Sequence, residues 1–120
     1  MAAEAGAART GVRLSPVSPV NDSGQDSQPQ LTYGRVVERM VKRLAPQRLA
    51  FLHIVEGQTG GARDIAPFDY AALRRQFGGP WMVNNGYDRA LALQAVASGA
   101  ADLVAFGKPF IGNPDLGRRL

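Results

Sequence analysis

Two glycine turns near the C-terminus constrain the fold of this chain more than any other feature of its sequence. They lie in residues 83–88 (VNNGYD) and residues 105–110 (AFGKPF), roughly 20 residues apart. Each turn follows a short apolar run, typical of a buried parallel strand, and each precedes a predicted helix start. Two adjacent strand–glycine–helix turns of this kind are typical of the phosphate-binding end of a β/α barrel. The rest of the chain is therefore interpreted as barrel segments that lead up to these turns.

The apolar pattern predicts strands that alternate with helices along the chain. The predicted strands cover residues 11–16, 49–55, 80–83 and 102–106. The predicted helices cover residues 31–45, 68–77 and 89–98, with the tail of an earlier helix in residues 2–9 and the start of a later one at residue 113. Predicted helix boundaries are Gly6, Pro46, Asp69, Gly78, Asp88 and Gly99, and the predicted loops are residues 17–30 and 56–67. Alternation of this kind predicts an α/β fold with parallel pairing, here four units of a β/α (TIM) barrel, or half a barrel.

Length and composition fit one globular domain over residues 1–120. The chain contains no cysteine, which excludes disulfides and thiolate metal sites and is compatible with a cytoplasmic location. It has no run of about 18 apolar residues, so no membrane-spanning helix is expected. Its alanine-rich N-terminus lacks the long apolar core of a signal peptide. With one histidine and no paired carboxylates at useful spacing, the sequence contains neither a hydrolytic triad nor a metal-ligand set.

The formal charge of +4 leaves two interpretations of the basic residues. They are scattered over several predicted helices, and Glu38 interrupts the densest group, which favours solvated helix faces. The alternative is a nucleic-acid-binding protein, but the sequence shows no basic patch with interleaved aromatic residues. No nucleic-acid or membrane partner is therefore predicted.

The two glycine turns supply groups that a phosphate requires. Gly86 and Gly107 allow the backbone N–H groups to approach a ligand closely, and Lys108 adds a positive charge beside the second turn. The dipoles of the helices that follow are expected to add to this attraction. The alternative is that both glycines serve only tight strand–helix turns.

Other polar and aromatic residues lie at strand ends. Arg13 ends the first strand, where its guanidinium would hydrogen-bond a carbonyl or stabilise an anionic ring nitrogen; a surface arginine is the alternative. His53 lies within an apolar strand and is interpreted as a packed, hydrogen-bonded histidine rather than a catalytic base. Glu56 ends that strand and is expected to face a pocket, with no partner nearby. Phe106 and Phe110 flank the second turn and are expected to pack beside a bound ring.

Five segments together resemble one known family. They are residues 11–16 (GVRLSP), 50–56 (AFLHIVE), 85–88 (NGYD), 105–110 (AFGKPF) and 113–116 (NPDL). In these motifs the chain resembles the C-terminal half of the Old Yellow Enzyme family, the NADH:flavin oxidoreductases that include N-ethylmaleimide reductase. The resemblance runs from about residue 5 to residue 120, with the motifs in the family's order and spacing.

The resemblance implies a barrel that binds FMN without a covalent bond. NAD(P)H would reduce the flavin, which would pass a hydride to the β-carbon of an electron-poor alkene. The arginine matching Arg13 contacts the flavin ring in the family, and the two glycine turns bind the flavin phosphate. The residues at cofactor-binding positions are Arg13, Asn85, Gly86, Phe106, Gly107 and Lys108. The resemblance assigns no catalytic residue and no metal ligand to this chain.

The chain departs from the family in three respects. Lys108 stands where the family usually has arginine. Lysine keeps the positive charge but cannot donate two parallel hydrogen bonds as a guanidinium does. Asn85 precedes Gly86 where the family often has a second glycine. The chain also matches only the last four of eight barrel units, and Tyr33, Tyr70 and Tyr87 do not match the family's proton donor.

The missing units have consequences for function. We expect a truncated product or fragment that has little ene-reductase activity alone and self-associates through its open sheet edges. The alternative is a non-catalytic phosphate- or flavin-binding half barrel that requires a partner half.

Overall fold

The computed structural model describes residues 6–16, 29–57, 62 and 68–119. Within these residues the strands are β1 (Gly11–Leu14), β2 (Phe51–Val55), β3 (Trp81–Asn84) and β4 (Leu103–Val104). The α-helices are α1 (Pro29–Leu44), α2 (Tyr70–Phe77), α3 (Arg89–Ala97), α4 (Lys108–Gly112) and α5 (Leu116–Arg119). Short 3₁₀ turns cover Ala7–Arg9 and Ala45–Gln47.

The strands form one parallel sheet in the order β1-β2-β3-β4. Each pair of neighbours is consecutive in the chain and parallel, so the predicted strand–helix alternation and parallel pairing are confirmed. Arg13 lies beside His53, and Val55 lies beside Asn84. Because paired residues in a parallel sheet point to the same face, these four side chains share one face of the sheet.

The opposite face of the sheet carries the hydrophobic core. Leu52, Ile54, Trp81 and Val83 lie on it and are buried. The helices pack there and contribute buried apolar side chains, namely Val41 from α1, Leu73 and Phe77 from α2, and Ala92 and Ala95 from α3. The face that carries Arg13 and His53 therefore points away from the helices, as the inner face of a barrel does.

Local capping explains where two of the helices begin. The Asp69 carboxylate accepts a hydrogen bond from Ala72 N at 2.9 Å, and the Asp88 carboxylate accepts one from Leu91 N at 2.8 Å. Gly78 ends α2 at φ 70°, and Gly99 follows α3 at φ 77°, both in the left-handed region that favours glycine. These predicted boundaries are confirmed.

Other boundaries differ from the prediction. Gly6, at φ 85°, precedes a 3₁₀ turn rather than ending a helix, so the predicted helix tail is wrong over residues 6–9. Helix α1 begins at Pro29, two residues before the predicted start, because proline is well suited to the first helical position. Strand β4 has two residues instead of five, because only Leu103 and Val104 pair with β3. Residues 2–5, residues 17–28 and most of residues 58–67 lie outside the described residues.

The C-terminal helices also differ from the prediction. The sequence predicts a helix from residue 113, but helix α5 begins at Leu116, and the five-residue α4 precedes it. Asn113 lies between the two helices and donates from Nδ2 to Pro109 O at 2.9 Å. That bond gives a carbonyl of α4 a partner, so Asn113 ends one helix rather than beginning the next.

Candidate functional site

A cavity of about 490 Å³ lies at the carboxyl ends of the strands. All six residues that the sequence singled out for cofactor binding line it: Arg13, Asn85, Gly86, Phe106, Gly107 and Lys108. Val55, Asn84, Tyr87, Ala105 and Pro109 complete the lining. The structure therefore brings the six residues to one place, while their role in binding stays a prediction.

The topology explains how residues from the two ends of the chain meet. Arg13 belongs to β1 and Lys108 follows β4, so they flank opposite ends of the strand order. In a parallel sheet the carboxyl ends of all strands lie along one edge. Arg13 and the residues after β4 both line the cavity at this edge. A ligand in the cavity would therefore contact residues from both outer strands.

The first glycine turn has an unusual backbone conformation. Asn85 has φ 95° and Gly86 has φ 69°, so two successive residues lie in the positive-φ region. Asparagine tolerates positive φ better than most residues that carry a Cβ atom, and glycine adopts it freely. The turn conformation alone is thus a sufficient reason for glycine at position 86.

The second glycine has a different reason to be glycine. Gly107 has φ −100°, which any residue adopts, so its turn does not require glycine. A Cβ atom built at Gly107 would meet no atom within 4 Å. Since Gly107 lines the cavity, its missing side chain leaves the backbone accessible there. This geometry favours the ligand-approach interpretation at position 107.

The predicted contribution of helix dipoles stays a prediction, and two features of the structure reduce it. Helix α3 begins three residues beyond Gly86, and the Asp88 carboxylate already accepts from a first-turn N–H group of that helix. Helix α4, beside Gly107, is only five residues long. A capping carboxylate offsets the partial positive charge of a helix start, and a short helix has a small dipole.

Side-chain charge makes the cavity favourable for an anion. Its lining contains the two cations Arg13 and Lys108 and no carboxylate. Both cations are exposed, and neither forms an ion pair within the described part of the chain. Two unpaired positive charges at one cavity attract an anionic group, although exposure to water and salt weakens that attraction.

His53 lies beside Arg13 on the inner face of the sheet and is half-buried. Burial lowers the pKa of His53 below its ordinary value, the Arg13 guanidinium lowers the pKa further, and the Asn84 side chain opposes the shift. His53 Nε2 and Asn84 Oδ1 are both buried without a hydrogen-bond partner among the described residues. His53 is therefore packed as predicted, but the expected hydrogen bond is absent at Nε2.

Glu56 has partners, which corrects the prediction that nothing nearby pairs with it. The Tyr87 hydroxyl donates to the Glu56 carboxylate, and Asn85 Nδ2 donates to the Glu56 backbone oxygen at 2.6 Å. Tyr87 lies 31 residues from Glu56 in the chain, so no local pattern reveals the pair.

The two aromatic residues that flank the second turn, Phe106 and Phe110, lie in different environments. Phe106 lines the cavity and is half-buried. Phe110 is exposed and does not line the cavity, and its packing beside a bound ring stays a prediction. Residue 110 belongs to the short helix α4, which follows the second turn.

The described residues show neither a metal-binding group nor a membrane-spanning helix. No group of three or more His, Cys, Asp or Glu side chains among them is arranged to hold a metal ion. No helix in the described part has both the length and the apolar character needed to cross a bilayer.

Three comparisons relate the chain to known proteins. A family model described as the NADH:flavin oxidoreductase / NADH oxidase family matches residues 2–120. 12-oxophytodienoate reductase 1 from Oryza sativa subsp. japonica is 39% identical over 124 residues, which cover 98% of this chain and 30% of that protein. The old yellow enzyme homologue from Zymomonas mobilis is 39% identical, with a TM-score of 0.82 over 98% of this chain and 32% of that structure.

A third protein is similar at lower identity. Morphinone reductase in complex with tetrahydroNAD is 32% identical, with a TM-score of 0.77 over 98% of this chain and 30% of that structure. The chain therefore spans about a third of the length of the relatives it matches. The four-stranded parallel sheet with its helices is a partial α/β structure that superposes on part of these β/α barrels.

Proposed function

This chain belongs to the NADH:flavin oxidoreductase / NADH oxidase family, and from that premise we propose that it supplies the FMN-binding end of an alkene-reducing barrel. The family consists of oxidoreductases that use FMN. The proposed reaction is NAD(P)H-dependent reduction of a small electron-poor alkene by hydride transfer from the flavin. The relatives named 12-oxophytodienoate reductase and morphinone reductase support a small-molecule substrate.

The observation that carries the proposal is the charge and shape of the cavity. Arg13 and Lys108, both without an ion pair in the described part, line it together with two backbone turns at Gly86 and Gly107. FMN has an anionic phosphate at one end and a planar ring at the other. Cations together with accessible backbone N–H groups suit the phosphate, and the half-buried Phe106 offers an apolar wall for a ring.

Each residue then has a distinct proposed role. Lys108 and the backbone of residues 85–86 and 107 would hold the phosphate. Arg13 would face the ring, where a positive charge stabilises the negative charge that accumulates on reduction. Bound FMN would supply the hydride chemistry, which no side chain of the cavity lining provides.

The chain alone is not expected to complete the reaction. The Tyr87 hydroxyl donates to Glu56, and Tyr87 does not match the proton donor of the family. We therefore expect flavin binding without appreciable alkene reduction by the isolated chain. Rapid reduction of cyclohexenone by the purified 120-residue chain with FMN and NADPH would contradict this expectation.

The test is a titration of the purified chain with FMN, followed by flavin fluorescence. Saturable binding is expected, and Lys108→Ala and Arg13→Ala are each expected to weaken it by roughly fivefold to tenfold, the effect of one charge-assisted hydrogen bond. The matched control is Lys42→Ala, because Lys42 is an exposed lysine in the last turn of α1 and does not line the cavity. Binding that is absent in a folded chain, or unchanged in both variants, would overturn the proposal.

A further inference from the structure

The turn at Gly86 is attached on both sides to one residue of the neighbouring strand end. Asn85 precedes Gly86 and donates from Nδ2 to the Glu56 backbone oxygen at 2.6 Å. Tyr87 follows Gly86 and donates from its hydroxyl to the Glu56 carboxylate. Glu56 is itself fixed to the sheet, because its backbone N donates to Asn84 O at 3.2 Å.

We propose that Glu56 is a positioning residue that fixes the residue 85–87 turn in the conformation needed to receive a phosphate. The inference rests on the proposed function, since it assumes that this turn is the phosphate-binding element. It assigns Glu56 a role through Asn85 and Tyr87, not through contact with the ligand. Glu56 does not line the cavity, whereas Asn85, Gly86 and Tyr87 do.

The backbone conformation of the turn explains why such fixing is needed. Asn85 has φ 95°, which asparagine tolerates better than most residues but which still costs energy relative to negative φ, so surrounding contacts help to maintain it. Gly86 has no side chain and restrains its own backbone weakly. Without an external attachment, this pair of residues would sample other conformations, and the N–H groups would lose their common direction.

The chemistry of Glu56 suits this role better than direct binding. A free carboxylate in the cavity would repel a phosphate, but here the carboxylate accepts from the Tyr87 hydroxyl outside the lining. Glu56 and Tyr87 are both half-buried, so water competes less with their hydrogen bond than it would at an open surface. A hydrogen bond to an ionised acceptor is also stronger than one between neutral groups.

The experiment compares FMN with riboflavin, which has the same ring and lacks the phosphate. A turn positioned for phosphate affects the ratio of the two affinities, whereas general damage to the fold lowers both. Tyr87→Phe removes the hydroxyl and keeps the ring, so we expect FMN to bind about threefold to tenfold more weakly with riboflavin unchanged. Circular dichroism and the melting temperature of each variant are recorded alongside.

A second variant, Glu56→Ala, tests whether loss of the carboxylate makes FMN binding weaker or tighter. Glu56→Ala removes a negative charge near the proposed phosphate position, and on charge alone it would tighten FMN binding. The positioning role predicts weaker FMN binding instead. Glu56→Gln keeps an acceptor oxygen for the Tyr87 hydroxyl and is expected to stay within about twofold of the unmodified chain.

The matched control is Tyr70→Phe. The Tyr70 hydroxyl accepts from Gly57 N at 2.9 Å, one residue beyond Glu56 at the same strand end. This variant is expected to leave the ratio of FMN to riboflavin affinity unchanged.

The outcomes separate the inference from the proposed function. If the unmodified chain binds FMN no more tightly than riboflavin, the phosphate site itself is wrong, and the inference fails with it. If the unmodified chain prefers FMN and Tyr87→Phe keeps that preference, the proposed function stands and the positioning role is overturned. Tighter FMN binding by Glu56→Ala, or equal weakening of both flavins, overturns the positioning role as well.

Discussion

Arg13 and His53 are neighbours across β1 and β2, and this pairing places two basic side chains on the inner face of the sheet. Arginine keeps its charge at all ordinary pH values, so protonation of His53 would put a second positive charge beside it. Burial adds a desolvation cost to that protonation, which is the main cause of the lowered pKa of His53. The imidazole is therefore neutral at pH 7.

This lowered pKa predicts a pH dependence of stability. The unfolded chain takes up the proton near pH 6.5 and the folded chain only at lower pH, so His53 contributes full stability above pH 6.5. That contribution is lost as the pH falls below 6.5 toward the folded pKa. We expect the melting temperature to fall between pH 7.5 and pH 5.5, and His53→Gln to show a smaller fall.

Comparison of the unmodified chain with His53→Gln provides the control for this prediction. His53 is the only histidine, so the difference between the two pH profiles isolates its titration from that of the carboxylates. Parallel profiles for the two proteins would show that protonation of His53 does not affect folding.

Lys108 is exposed, lines the cavity and offers one ammonium group there. Because a guanidinium donates two parallel hydrogen bonds to a phosphate, Lys108→Arg is expected to tighten FMN binding by about threefold. Fluorescence titration measures the change, and Lys42→Arg on α1 serves as the control. Weaker binding by Lys108→Arg would indicate that the cavity has no room for the larger fork.

The side chain of Asp88 caps the start of helix α3. Asp88 accepts from Leu91 N at 2.8 Å, so Asp88→Ala leaves a first-turn N–H group without its side-chain partner. We expect a loss of about 1 kcal/mol in the free energy of unfolding, measured by urea denaturation. Asp115→Ala is the control, since Asp115 forms an exposed ion pair with Arg119 whose removal costs about 0.5 kcal/mol or less. Equal losses in the two variants would contradict a capping role for Asp88.

The elements that the sequence predicts well are those fixed by contacts three or four residues apart. Asp69 and Asp88 cap helices whose N–H groups lie three residues away, and Gly78 donates to a carbonyl four residues earlier, at Arg74. Such contacts leave a pattern in a single stretch of sequence. The apolar run 49–55 likewise predicts a strand, and β2 lies within it. The expected cover on both faces is not present in this chain, because Phe51 and His53 on the open face are only half-buried.

The features that the sequence did not predict depend on distant residues. The partner of Glu56 is 31 residues away, and the length of β4 depends on its register against β3. The family resemblance predicts that Arg13 and Lys108 line one cavity, because it implies a barrel. The charge pattern and the hydrophobic periodicity of this chain do not predict that these two residues lie close together.

The whole molecule has a sheet with one covered and one open face. The helices cover the face of Leu52 and Trp81, while the other face carries half-buried Phe51 and Met82 and the 46% exposed Leu103. Parallel sheets are normally covered on both faces. Within the described residues, the outer edges of β1 and β4 also have no paired strand. The isolated chain therefore has an apolar face that a second copy would cover.

We expect the purified chain to sediment at more than its monomer mass of 12.8 kDa. Leu103→Lys places a charge on the open face and is expected to shift the chain toward monomer in analytical ultracentrifugation. Val96→Lys is the matched control, because Val96 is 48% exposed on α3, on the helix side of the sheet. A monomeric unmodified chain, or equal dissociation by both variants, would exclude association through the open face.

The position of Arg13 and Lys108 on opposite outer strands also has a thermodynamic consequence. A ligand that contacts both residues can bind only when every strand between them is in register, so its binding is linked to the formation of the whole sheet. At a free ligand concentration one hundred times the dissociation constant, this linkage adds about 2.7 kcal/mol to the folded state. Occupancy of the cavity thus stabilises the first and last strands together, and separation of either strand from the sheet would remove one of the two cations that the ligand contacts.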